Sequence, residues 1–179
     1  MTAEPIIESG MTFGPFPEGH CFRIERSAVY QKVKDGVQMA EFLLLRLKDG
    51  HLPTVWVVEA KSSTPRAETQ PNFAEFIDEI RRKLTNALSL GLAACLKRHA
   101  AADAELSEAF KTLDLSVASF RLVLVINGHK EEWLQPLQEA PSKALKPTVK
   151  TWALPPTAVA VINDRLARKH GLILANADG

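Results

Sequence analysis

The chain has 179 residues, 46% of them hydrophobic and 24% charged, with a formal net charge of +1. That length suits one domain with a full core, and the charge is neither the strongly basic balance of a non-specific DNA coat nor an acidic tail, so any nucleic-acid contact must come from local patches. No apolar run reaches membrane-spanning length, no basic stretch leads into a hydrophobic one at the N-terminus, and Cys21 and Cys95 lack Cys-x-x-Cys spacing; the expectation is a reduced, cytoplasmic chain with no membrane partner.

Residues 1–21 contain Pro5, Gly10, Gly14, Pro15, Pro17 and Gly19 and read as an irregular N-terminal arm, which Met11, Phe13 and Phe16 can pin to the body. Residues 22–179 are expected to form a single domain. Residues 22–33 read as a first strand, and the Asp35-Gly36 turn would set Tyr30 opposite Glu41. Glu25 on that strand is a spare acid. A third metal ligand is one use for it; an exposed edge-strand residue is the plainer account.

A second apolar run, residues 37–47, is interrupted by the single carboxylate of Glu41. A turn-rich connector with Asp49-Gly50 then leads into Val55, Trp56, Val57 and Val58, a buried strand by composition. That strand delivers Glu59 and Lys61 at its end, two residues apart and therefore on one face. If the hairpin folds about Gly50, facing residue numbers sum to roughly 100, and Glu41 lies across from Glu59.

Residues 64–71 form a polar loop with two prolines, leaving the strand beside Glu59 and Lys61. Phe73, Phe76, Ile77, Ile80, Leu84 and Leu88 make the core-facing stripe of a long helix, with Asn72 as its cap and Glu75 completing a capping box. Arg81, Arg82 and Lys83 lie towards its polar side, to meet phosphate or simply solvent. Gly91 interrupts the pattern, and Asp103 is expected to cap a short helix running to about Leu113. Residues 120–126 are apolar on both faces, the mark of a central strand, and Asn127-Gly128-His129 turns the chain. Residues 131–145 read as helical in places, broken by Pro136 and Pro141. A further strand is predicted over residues 148–154, then a last helix from a Thr157 cap to about Lys169, with Arg165, Arg168 and Lys169 on one face. Trp56, Trp133 and Trp152 read as core or interface anchors, any one of which can also stack on a base. The order of elements predicts an α/β fold, a mixed central β-sheet flanked by helices.

Two carboxylates and a lysine on adjoining strands make a hard-oxygen site for Mg²⁺ with a cation beside it. The plainer reading of the same three residues is a salt bridge at the rim of the sheet. The pattern of Glu41, a hairpin, then Glu59-Ala60-Lys61 resembles the PD-(D/E)XK nuclease superfamily, whose core is the restriction-endonuclease-like fold. The resemblance spans about residues 23–127. It departs from the family in having Glu rather than Asp as the first acid, no proline before it, and no evident helix ahead of the first strand.

The resemblance implies metal-assisted hydrolysis of a phosphodiester in nucleic acid, with DNA as the expected partner. Glu41, Glu59 and the Ala60 carbonyl would hold Mg²⁺ or Mn²⁺, with Lys61 positioning the attacking water or stabilising the transition state. Ser62, Ser63, Arg82 and Lys83 are the candidate nucleic-acid contacts. The chain carries no Gly-x-Ser-x-Gly, His-Glu-x-x-His, P-loop or dinucleotide motif, and its five histidines show no ligand spacing. It also carries no recognisable DNA-reading module, so specificity would come from a homodimer, a larger complex, or DNA structure. The competing expectation, of another class, is an inactive nuclease-like fold used for binding or assembly, its acids neutralised by lysine without metal.

Overall fold

The computed structural model describes residues 3–174. Strands β1 (Ile6–Glu8) and β2 (Met11–Phe13) form an N-terminal hairpin. Strand β3 (Cys21–Phe22) leads through a 3-10 turn (Ile24–Arg26) into helix α1 (Ala28–Val33). Next come β4 (Phe42–Arg46), β5 (Thr54–Lys61) and the long helix α2 (Asn72–Cys95). Two short helices, α3 (Ala102–Glu105) and α4 (Glu108–Lys111), precede β6 (Ser119–Ile126). Helices α5 (Leu134–Ala144) and α6 (Lys146–Thr151), strand β7 (Val159–Asn163) and helix α7 (Asp164–Lys169) complete the order.

The larger sheet has five strands in the order β3-β4-β5-β6-β7, antiparallel from β3 to β5 and parallel from β5 to β7. It is the expected mixed sheet flanked by helices. Because side chains alternate across a strand, β5 and β6 feed two cores. Val55, Val57, Leu122 and Leu124 pack under α2 and α5. Trp56, Val58, Val123 and Val125 pack against the N-terminal hairpin and α7. Burial on both sides explains why these strands read as continuous apolar runs. The β4–β5 register is the predicted one, with Phe42 facing Val58 and Arg46 facing Thr54.

The N-terminal arm is not irregular. Ser9 and Gly10 both adopt positive φ, 51° and 75°, and close a two-residue hairpin turn. Ile6, Met11 and Phe13 are buried, so the expected pins exist, but they belong to a built element. Residues 22–33 are mostly helix instead of strand. Ser27 Oγ accepts from Tyr30 N at 3.0 Å, and the Glu105 carboxylate accepts from the N–H groups of Ala28 and Val29 at 2.7 and 3.1 Å. A local cap and a carboxylate 77 residues away satisfy the helix start, outweighing the β-propensity of Val29, Tyr30 and Val33. Tyr30 therefore does not face Glu41; its hydroxyl donates to the Val37 carbonyl.

Helix α2 begins without the predicted capping box, since Pro71 occupies the cap position and Asn72 is already helical. It runs unbroken through Gly91, where a Cβ would meet Leu43 Cδ1 at 2.5 Å, so the glycine lets β4 pack close. Asp103 lies inside α3, and Ser107 caps the separate α4. Residues 131–145 are less broken than expected, with Pro141 inside α5. The strand predicted over residues 148–154 is α6 and its exit, because Pro147 in the first turn starts a helix. Thr157 lies in a 3-10 turn, and the residues read as the last helix hold β7 first. Val159, Val161 and Ile162 pair along β6, and α7 begins only after Asn163, whose Oδ1 accepts from Leu166 N at 2.9 Å.

Candidate functional site

Glu59 sits at the end of β5 on the face covered by α2, and its side chain is 0% exposed. A carboxylate taken out of water must be met by charge or hydrogen bonds. Its Oε1 accepts from Lys83 Nζ at 2.9 Å and lies 3.5 Å from Lys61 Nζ. Its Oε2 is buried with no hydrogen-bond partner among the described residues. Lys61 Nζ donates to Glu79 Oε1 at 2.6 Å, and Lys83 Nζ is 3.8 Å from the same oxygen. Burial pushes the Glu59 carboxyl up against the opposing pull of Lys83 and Lys61. Burial opposes the charge on Lys83, yet Glu59, with Glu41 and Glu79 adding, holds that ammonium above its usual range.

Glu41 lies immediately before β4, where the β4–β5 ladder ends at Phe42 and Val58; its N–H donates to the Val58 carbonyl at 3.0 Å, and its charge and that of Glu59 interact. It meets two other acids. One carboxylate oxygen each from Glu8, Glu25 and Glu41 lies within 4.8 Å of the others. Glu8 is carried by the β1–β2 turn and Glu25 by the 3-10 turn before α1. Arg23 and Arg26 approach Glu8 at 3.4 and 3.2 Å, while Glu25 and Glu41 form no ion pair among the described residues. Burial, a hydrogen bond with Glu25 and the charges of Glu59, Glu25 and Glu8 raise the Glu41 carboxyl to about 8.

Of the predicted trio, Glu59 and Lys61 are 3.5 Å apart, while Glu41 packs with Glu8 and Glu25 and meets Glu59 through the interaction of their charges. The Ala60 carbonyl accepts from Ser9 Oγ at 3.0 Å, which ties it to the hairpin carrying Glu8. The proposed nucleic-acid contacts divide. Arg82 is exposed and paired with Asp78, whereas Lys83 turns inward onto Glu59 instead of facing solvent. Ser62 and Ser63 are exposed and line a cleft of about 640 Å³ between the 64–68 loop and the start of α5. Trp56 is buried as an anchor should be, with the guanidiniums of Arg46 and Arg121 each 4.9 Å from its ring centroid. Trp133 and Trp152 are half-exposed.

Sequence reasoning missed Glu8, Glu79 and the inward turn of Lys83, and it expected Glu25 to be exposed on an edge strand, whereas it is half-buried in a 3-10 turn. A signal existed for two of them. Glu79 and Lys83 are four apart and flank the Ile80 and Leu84 stripe, the place where a helix can turn charge toward a sheet edge. Ser9-Gly10 between Ile6-Ile7 and Met11-Thr12 was a legible turn. Nothing local signals that it brings Glu8 to Glu41.

The fold and site define a mixed α/β chain with an acidic centre, lysine-backed on one side, at the end of its central hairpin. No protein-family model, no curated protein and no solved structure matches the chain.

Proposed function

We propose that the chain is a metal-dependent phosphodiesterase of nucleic acid, with DNA as its expected substrate, built on a restriction-endonuclease-like core. The observation that carries this reading is the gathering of Glu8, Glu25 and Glu41 within 4.8 Å, with the buried Glu59 close enough for its charge to act on Glu41. Acids packed so closely favour a cation between them, and burial first, then the neighbouring carboxylates, raise the Glu41 carboxyl. Hard carboxylate oxygens suit Mg²⁺ or Mn²⁺, and the unpartnered Glu59 Oε2 is a further donor atom.

Glu41, Glu59 and the acids beside them would hold the ion, with the Ala60 carbonyl adjacent. When bound, such an ion supplies a water of lowered pKa and neutralises charge building on the phosphate. Lys61 orients the attacking water or offers its ammonium to the phosphate, and Glu79 fixes where that ammonium stands. Lys83 opposes the burial that pushes the Glu59 carboxyl up. Participation in defence, restriction or repair, and assembly as a homodimer or within a larger complex, belong to the same proposal.

One observation favours a second reading. Lys83 and Lys61 already neutralise Glu59 Oε1, as expected of an inactive module for binding or assembly. The two readings separate on one experiment. The chain and Lys61→Ala are incubated with circular and linear DNA in Mg²⁺, Mn²⁺ or EDTA, and melting temperature is followed in parallel. Cleavage that needs metal and disappears in Lys61→Ala is expected. Absence of cleavage together with no metal-induced rise in melting temperature would leave the binding module as the function.

A further inference from the structure

The cleft of about 640 Å³ begins at the residue after Lys61, and nothing in the hydrolytic chemistry uses it. Its volume falls in the ordinary range of small-ligand pockets, roughly 300–1,000 Å³. Lys61 pairs with Ile126 in the parallel ladder, and Ile126 forms part of the cleft, so site and cleft share the same two strand ends. A polymer with its phosphate at Lys61 therefore has this cleft as its next station.

The walls have a definite chemistry. Phe73 on α2 and Trp133 before α5 both line it, and the Trp133 side chain is 50% exposed although its ring is large. His129 packs edge-on to that ring at 5.5 Å between centroids, and the Lys130 ammonium lies 4.8 Å from its centroid. The His129 backbone carbonyl accepts from the buried Asn163, which fixes the loop, and His129 Nε2 is buried with no hydrogen-bond partner among the described residues. Two aromatic side chains and the Lys130 ammonium beside one of them match a flat base carried on an anionic strand.

We infer that the cleft receives one unpaired nucleobase of the strand whose phosphate lies at Lys61, stacked on Trp133 with its edge toward His129, so that the substrate is single-stranded or locally opened nucleic acid. A base inside a duplex cannot reach such a recess without leaving the stack. This inference rests on the hydrolytic reading for its placement. It concerns binding and is measured without turnover.

Binding of a short single-stranded oligothymidylate, of the same length containing one abasic position, and of a duplex is measured in EDTA by anisotropy. Wild-type chain, Trp133→Ala and His129→Ala are compared, with thermal melts to check that each variant is folded. Stacking of one base on one aromatic ring corresponds to a loss on the order of tenfold in affinity when the ring is removed. The expected result is that loss for the single strand in Trp133→Ala, a smaller one in His129→Ala, and weak duplex binding throughout. Equal affinity for duplex and single strand, an unchanged Trp133→Ala, or no binding of any oligonucleotide would overturn the inference. Metal-dependent cleavage with no dependence on Trp133 would remove the base pocket alone. Trp133-dependent binding without cleavage would remove the hydrolytic reading alone.

Discussion

Glu41 is the residue on which the site's charge balance turns. Its carboxyl stands near 8 because it is half-buried among Glu25, Glu59 and Glu8, so between about pH 4.5 and 8 the folded chain carries a proton that the unfolded chain has released. A group with a raised acid pKa makes stability fall as pH rises through that window. In metal-free buffer, melting temperature should decline from pH 5 to 8, and Glu41→Gln should flatten that decline. A metal competes with the same proton, so divalent affinity should rise roughly tenfold per pH unit up to about 8 and then level. Titration of Mn²⁺ at pH 6.5, 7.5 and 8.5 checks this. A pH-independent affinity would mean that Glu41 does not hold the ion.

At the scale of elements, the N-terminal hairpin is what turns a two-acid pair into a cluster. Its tip must be glycine for two reasons. Gly10 has φ of 75°, and a Cβ there would meet Asn127 Nδ2 at 2.8 Å, where Asn127 also donates to the Ser9 carbonyl. Left-handed backbone costs an ordinary residue about 1–2 kcal/mol, and the contact adds to it. Gly10→Ala should therefore lower unfolding free energy by about 2 kcal/mol in urea, and should weaken metal binding because Glu8 and the Ser9–Ala60 contact shift with the turn. Unchanged stability would show that the hairpin is not seated against the β6 exit. How these elements read from sequence differed by where their cause lay. The central strands were legible because Val55, Val57, Leu122 and Leu124 carry their own burial signal. Helix α1 was not, because Glu105 completes its start from across the chain. Strand β7 was mistaken for a helix, since Val159, Val161 and Ile162 alternate only against β6 and the true cap, Asn163, follows them.

For the whole molecule, the decisive feature is that α2 lies over the sheet with one charged seam in an otherwise apolar layer. Glu59, Lys83, Lys61 and Glu79 form that seam, and Ile80, Leu84 and Leu88 surround it with packing. Removing one member of a buried pair strands the other charge, at a cost of about 3–5 kcal/mol; Lys61 remains nearby here, so the low end applies. Lys83→Met should thus lose about 3 kcal/mol by denaturant unfolding, and adding Glu59→Gln should recover a large part of it. A double variant as unstable as the single would assign the loss to packing of the lysine stem.

The sequence alone determined the mixed sheet, the β4–β5 register and the pairing of Glu59 with Lys61. Each follows from short-range rules: alternation along a strand, a turn at Gly50, two residues between an acid and a base. Only the tertiary structure decided which charges answer Glu59, because that depends on a helix face laid across the strand from 24 residues away. It also decided that Glu8 and Glu25 join Glu41. Their proximity comes from a hairpin and a 3-10 turn folded back against the sheet, and contact between distant segments is set by packing, not by any pattern within them.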